Sequence, residues 1–226
     1  YFSRPVRIKS ENETNRYIAA LHEDQFARHR GDCSPEYFWE SPGGPFGPKR
    51  PSTAAKIAEL VRKDVPIFVI LRNPVARAVH AYWHHFSNGR VDLAAGLFRT
   101  PKQLGLIDQG FYARHLEHWS NRLGADRLHI LFYEDALDDA QAVIKRAFGA
   151  LGITPAQDYW DSVDLRPAVR HKPWVKTFQK QHALDAREIA ALFEIYQSDV
   201  AAVEEFVGRE LPKWRDRKAM VKTLSA

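Results

Sequence analysis

The segment from Ile67 to Phe86, IFVILRNPVARAVHAYWHHF, constrains the fold of this 226-residue chain more than any other. Ile67 to Leu71 is an unbroken apolar run rich in β-branched residues, the pattern of a strand buried on both faces of a parallel sheet. Arg72 ends that run. Asn73 is a good N-cap and Pro74 suits the first helical turn, where no backbone N–H is needed. Arg72 is therefore expected at the carboxyl end of a central strand, where open α/β sheets bind ligands. Its planar fork suits a phosphate, and the positive end of the following helix would favour the same charge.

Composition sets the frame around this unit. Hydrophobic residues make up 45% and charged residues 27%, values of a globular chain long enough for one substantial core. The formal charge of +5 and pI of about 9.3 favour an anionic ligand. The basic residues are scattered and no reader module appears, which argues against nucleic acid. No apolar run approaches the roughly 20 residues needed to cross a bilayer. The single cysteine, Cys33, excludes an intrachain disulfide and fits a reducing, cytoplasmic setting. The chain opens Tyr-Phe-Ser without a methionine, so an upstream segment is expected.

Further elements follow from periodicity and punctuation. A helix is expected over 12–27, carrying Tyr17, Ile18, Leu21 and Phe26. A loop from Ser41 to Pro51, with prolines at 42, 45, 48 and 51, reads as irregular: a solvent-exposed connector, with a lid as the alternative. Ser52 or Thr53 caps a helix striped by Ile57, Leu60 and Val61. Asp108 opens a helix with Phe111, Tyr112, His115, Leu116, Trp119 and Leu123 on one stripe, stopped by Gly124. Arg127 to Tyr133 is a second buried strand. A helix with Val143, Ile144, Phe148 and Leu151 comes next, then a basic irregular stretch from Leu165 to Ala183. A long helix from Asp185 to Val207 closes the pattern, with Ile189, Leu192, Phe193, Tyr196, Val200, Val203 and Phe206 on its stripe. Alternating strands and helices without repeats indicate an α/β domain.

On a helical wheel, Arg77, His80 and His84 fall within about 60° of each other, away from the apolar face of Val75, Val79, Tyr82 and Phe86. The histidines are one turn apart, yet no third ligand has metal-site spacing, so no metal is expected. An anion-facing edge and an ordinary solvated face are the two readings left.

Five segments together carry a family resemblance. Leu71-Arg72-Asn73-Pro74-Val75-x-Arg77-Ala78 resembles the 3′-phosphate-binding motif of sulfotransferases that use 3′-phosphoadenosine-5′-phosphosulfate, especially the heparan-sulfate-type group and its bacterial relatives. Gly31-Asp32-x-Ser34-Pro35-x-Tyr37-Phe38 and Gly110-x-Tyr112-x-x-His115-Leu116-x-x-Trp119 are similar to two further segments of that group. Leu131-Phe132-Tyr133-Glu134-Asp135 and Gly208-Arg209-x-Leu211-x-x-Trp214 complete the series in order.

The resemblance implies a three-layer α/β/α fold with a central parallel sheet, of the P-loop NTPase-like kind. It implies one domain over 1–226 that lacks its N-terminal β-loop-α unit. It also implies transfer of a sulfuryl group from 3′-phosphoadenosine-5′-phosphosulfate to a hydroxyl or amine of a carbohydrate, glycolipid or small metabolite. Arg72 and His80 would hold the 3′-phosphate, with His80 standing where the family has a serine. Arg170, His171 and Lys172 match by position a basic loop that closes over the nucleotide; a flexible basic loop is the alternative. The glycine-lysine phosphosulfate loop and the catalytic glutamate are not found in 1–226 and are expected upstream of Tyr1. Asp32 and His84 are the remaining candidates to face the acceptor as a base. Cys33 replaces a family lysine and reads as a small buried residue. Trp39, Trp83 and Phe111 are candidates for stacking on an acceptor ring, or for the core. Two alternatives stand beside the enzyme: a non-catalytic relative that binds a nucleotide or anionic glycan, and a P-loop small-molecule kinase.

Overall fold

The computed structural model describes residues 29–92, 95–165 and 184–225, together with Ala19. The helix expected over 12–27, Ala19 apart, and the basic stretch 166–183 lie outside the described residues.

Two parallel strands organise these residues. β1 (Ile67–Leu71) pairs with β2 (Leu128–Phe132) in a register that sets Ile67 beside Leu128 and Leu71 beside Phe132. Parallel neighbours require a long crossover. Here it contains α2 (Pro74–Ser87) and α3 (Tyr112–Leu123), numbered after α1 (Thr53–Leu60). After β2 come α4 (Tyr133–Asp138), α5 (Ala140–Ala150) and α6 (Gln157–Ser162), then the long α7 (Ala186–Val207). Two short helices finish the chain, α8 (Pro212–Arg215) and α9 (Arg217–Leu224). Helices and a parallel sheet in alternation make this an α/β protein.

Side-chain alternation along a strand sends Ile67, Val69 and Leu71 to one face of the sheet, with Ile130 and Phe132 beside them. That face meets the main core, where Val75 and Tyr82 of α2, Leu116 of α3 and Ile189, Leu192 and Tyr196 of α7 are fully or almost fully buried. A second cluster packs Ala54 and Ile57 of α1 against Trp119 and Leu123. The opposite face departs from the expected double burial. α4 and α5 pack on β2 and bury Leu131, whereas Ile70 of β1 is 67% exposed. Among the described residues, the helices on this face pack over β2 and leave Ile70 of β1 open. Two further stripe positions, Leu60 and Phe206, are also exposed because α1 and α7 turn those sides to solvent.

The proline-rich loop is more ordered than its composition suggests. Pro42 and Lys49 form an antiparallel bridge, closed by hydrogen bonds from Gly44 N to Gly47 O (3.0 Å) and Arg50 N to Ser41 O (2.9 Å). Pro42, Gly44, Pro45, Lys49 and Pro51 are exposed, as expected of a connector, but the segment leading into it is not. Trp39, Glu40 and Ser41 are buried, and the Trp39 indole donates to the Asp108 carboxylate at 2.6 Å. Gly47 approaches Asp108 so closely that any side chain there would run into the carboxylate. Asp108 opens a 3-10 turn (Asp108–Gly110) just ahead of α3 and also anchors this loop, with Arg114 pairing to it at 2.6 Å. Burial pushes its carboxyl up, but the bonds from Arg114, Trp39 and Ser41 outweigh that and hold it below the usual range.

Candidate active site

The turn from β1 into α2 is built around a fully buried Asn73. Its Oδ1 accepts from Val75 N (2.9 Å) and Ala76 N (3.1 Å), while Nδ2 donates to the carbonyls of Trp214 (3.4 Å) and Lys213 (3.5 Å). The Asn73 amide donates to Glu134 at 2.8 Å, and the other Glu134 oxygen takes the Trp214 indole at 3.0 Å. A mid-chain carboxylate and the C-terminal segment thus lock one turn. The consequence bears on how this turn can meet an anion. Pro74 has no N–H, Val75 and Ala76 are capped, and Arg77 N bonds to Asn73 O at 2.8 Å. The first turn of α2 therefore offers an anion its field, but its amides already have acceptors.

Side chains supply the contact surface instead. Arg72 is half-buried at the end of β1, its guanidinium 4.6 Å above the Tyr133 ring and one terminal nitrogen 3.3 Å from His80 Nε2. Its carbonyl accepts from the Tyr112 hydroxyl at 2.9 Å. Burial pushes that phenol up to about 12, so it remains a donor. His80 Nδ1 lies 2.8 Å from Ala76 O. A carbonyl only accepts, so Nδ1 carries the hydrogen and Nε2 receives one from Arg72.

The other predicted residues are placed differently. Arg77 shares a wheel face with His80, but its long side chain reaches the Leu106 carbonyl and Gln109. His84 is exposed, its ring edge-on to His85 at 5.4 Å, one turn beyond His80. Asp32 is exposed and accepts from the Tyr37 hydroxyl within its own turn at 2.5 Å. The three residues of α2 thus do not form a single edge. Cys33, expected to be buried, is exposed, because the turn at 31–36 lies on the surface. Arg170, His171 and Lys172 lie outside the described residues. Trp39 and Trp83 are core, whereas Phe111 is half-buried. Among the described residues, no cluster of three His, Cys, Asp or Glu side chains could hold a metal ion, and no helix is long and apolar enough to cross a membrane.

Sequence reasoning missed Tyr112, Tyr133 and Glu134 as contacts of the Arg72 turn, although all three fall in the quoted motifs. It also missed Asp199 of α7, whose Oδ1 accepts from Ala113 N at 3.1 Å while Oδ2 is buried without a hydrogen-bond partner. Burial pushes its carboxyl up to about 6. A lone carboxylate between Tyr196 and Val200 on an apolar stripe was the available signal. His115 is core: burial drives its imidazole down to about 3, and Nε2 donates to Asp108 O at 3.3 Å.

Known proteins match this chain along much of its length. A profile described as the sulfotransferase family matches residues 5–158, spanning β1, Arg72, α2 and the Tyr133-Glu134 turn. Mouse heparan sulfate glucosamine 3-O-sulfotransferase 3B1 is 28% identical over 147 residues, or 56% of this chain and 37% of the relative. The human 3B1 protein is 30% identical over 100 residues, or 40% of this chain and 25% of the relative. The matched part is thus well under half the length of these curated relatives. The crystal structure of a sulfotransferase from Alicyclobacillus acidocaldarius has a TM-score of 0.62 at 22% identity, covering 95% of this chain and 84% of that one. At that identity the likeness speaks for the fold. With its profile match over more than half of its residues, the chain belongs to the sulfotransferase family.

Proposed function

We propose that this chain moves a sulfuryl group from 3′-phosphoadenosine-5′-phosphosulfate to a hydroxyl or amine of an acceptor, a carbohydrate, glycolipid or small metabolite. It does so in a three-layer, P-loop-like α/β/α arrangement and in the cytoplasm. The observation that carries the reading is Arg72. It stands at the carboxyl end of a parallel strand, half-buried and stacked on Tyr133, beside the start of α2 and inside the matched segment. The residues present fit a phosphate. A guanidinium offers its N–H edge while its face rests on a ring, and the capped helix end adds a favourable field. An exposed Cys33 thiol suits a reducing compartment.

In the proposed step the bond from sulfur to the bridging oxygen of the donor breaks and a bond from sulfur to the acceptor atom forms. The acceptor's proton passes to a base, and the leaving nucleotide keeps the electron pair of the broken bond. Arg72 acts away from the reacting sulfur. It holds the 3′-phosphate and so fixes where the donor lies, which lowers the entropic part of the barrier. The buried Asn73–Glu134–Trp214 network holds the backbone from which Arg72 projects.

The direct test is calorimetric titration with 3′,5′-phosphoadenosine. Arg72→Ala is expected to weaken binding by about 2–5 kcal/mol, the usual cost of truncating one partner of a hydrogen-bonded charge pair. Equal affinity in the variant and the parent would remove the reading. An acceptor screen with radiolabelled donor then tests transfer itself. A non-catalytic relative would bind the nucleotide and label nothing.

A further inference from the structure

We propose that His80 and Tyr133 are positioning residues for Arg72, and that His80 is not itself a donor to the bound phosphate. The inference rests on the reading that Arg72 meets the 3′-phosphate, and it changes what its neighbours do. A free arginine side chain has several soft torsions, and a guanidinium that must meet an anion edge-on gains from being held beforehand. Two contacts hold it here. The Tyr133 ring lies under the guanidinium face with the centroid 4.6 Å from its carbon, and His80 Nε2 takes a hydrogen from one terminal nitrogen at 3.3 Å. Stacking uses the face of the fork and leaves its N–H edge directed sideways, the part that binds a phosphate.

The imidazole geometry decides the role of His80. Nδ1 is 2.8 Å from the carbonyl of Ala76, one turn back on α2, so that nitrogen is the donor. In the neutral ring Nε2 is then an acceptor, and its partner is a guanidinium that can only donate. For Nε2 to donate to an anion, the ring must be cationic, with a second positive charge 3.3 Å from Arg72. A serine hydroxyl can accept and donate at once; this imidazole, anchored by Ala76, cannot. Among the described residues, the charged and titratable groups around the pair include Tyr112 of α3, whose hydroxyl donates to the Arg72 carbonyl, Tyr133 and Glu134 at the start of α4, and Arg77 and His84 on α2. Arg77 is tied to Leu106 and Gln109, and Glu134 to Asn73 and Trp214.

The test is calorimetric titration of the full chain with 3′,5′-phosphoadenosine between pH 5.5 and 8.5, with urea midpoints showing that each variant is folded. Tyr133→Phe keeps the ring and should bind like the parent, while Tyr133→Leu should bind about three- to tenfold more weakly. His80→Gln keeps an acceptor for Arg72 and should lie within about threefold of the parent, since a neutral hydrogen bond is retained. His80→Lys offers only donors and a charge, and should lose about tenfold or more through like-charge repulsion of Arg72. The ligand's own second phosphate ionisation, near pH ~6, affects all proteins alike. Against that common background, the parent should gain affinity relative to the H80Q variant as pH rises and the imidazole becomes neutral. Parent affinity that falls relative to H80Q as pH rises, or an H80K variant that binds as tightly as the parent, would make His80 a direct cationic ligand and overturn the proposal. Unchanged binding by Tyr133→Leu would overturn its stacking half. Unchanged binding by Arg72→Ala would instead fail the underlying functional reading.

Discussion

The N-termini of α2 and α3 face the same problem, four backbone amides without partners inside the helix, and meet it by different means. α2 is capped from within its own turn, Asn73 taking the amides of Val75 and Ala76. α3 receives no side-chain cap from Phe111; Asp199, 86 residues away on α7, accepts from Ala113 N. The local cap is neutral and fully buried, and its second group, Nδ2, ties the C-terminal segment to the same turn. The distant cap is a carboxylate with one oxygen buried and unpartnered, and burial raises its pKa to about 6. A cap within one turn costs little to assemble. A cap from another helix can be bound only when the core that brings the helices together has formed. The two termini therefore differ in what their loss should do.

Asn73 should carry the largest effect. Asn73→Ala removes a cap and leaves the Lys213 and Trp214 carbonyls without their donor, a loss of about 3 kcal/mol in urea unfolding. Asn73→Ser sharpens the point because it keeps a neutral capping oxygen and lacks the Nδ2 donor. If the two variants cost the same, the tie to the C-terminal segment is the dominant part. If Asn73→Ser is nearly neutral, the cap is.

Asp199 should act through pH. Its folded pKa lies above the unfolded value of 3.8, so the native state holds a proton that the unfolded chain releases. Stability should fall as pH rises from about 4 through about 6 and then level off. Asp199→Asn keeps an oxygen for Ala113 N and removes the buried charge. Its stability should be flatter over that window and at least equal to the parent's at pH 7, measured by thermal melts at each pH. Parallel profiles for the two proteins would mean that the charge is not strained.

The smallest effect belongs to α1. Ser52 accepts from Ala55 N at 3.0 Å and touches His118 Nε2 at 2.9 Å. Ser52→Ala should cost about 1 kcal/mol, an ordinary N-cap loss, with no change in nucleotide affinity. A loss approaching that of Asn73→Ala would erase the distinction between a surface cap and one built into the site.

Several elements were readable because their causes are local. β1, the Asn73-Pro74 start of α2, the Gly124 stop of α3 and the Asp185 cap of α7 all follow from residues within one or two turns of the boundary. The misses share a different cause. Ile70 was expected to be covered, and it is exposed because the covering helices sit over β2. Asp108 begins the 3-10 turn ahead of α3, but the bond its carboxylate accepts from the Trp39 indole, 69 residues upstream, was not legible. Arg77 was grouped with His80 by angle, but side-chain length and the position of the Leu106 carbonyl took it elsewhere.

The amino-acid sequence by itself determined the strand–arginine–helix unit, the α/β pattern and the family, since hydrophobic period, caps and motif order are properties of neighbouring residues. Only the tertiary structure decided what surrounds Arg72. His80 reaches it across two turns of helix, Tyr133 arrives through the parallel pairing of β2 with β1, and Trp214 closes the turn from the far end of the chain. Such contacts depend on how buried faces align when the layers pack, and that alignment is not encoded within any one segment.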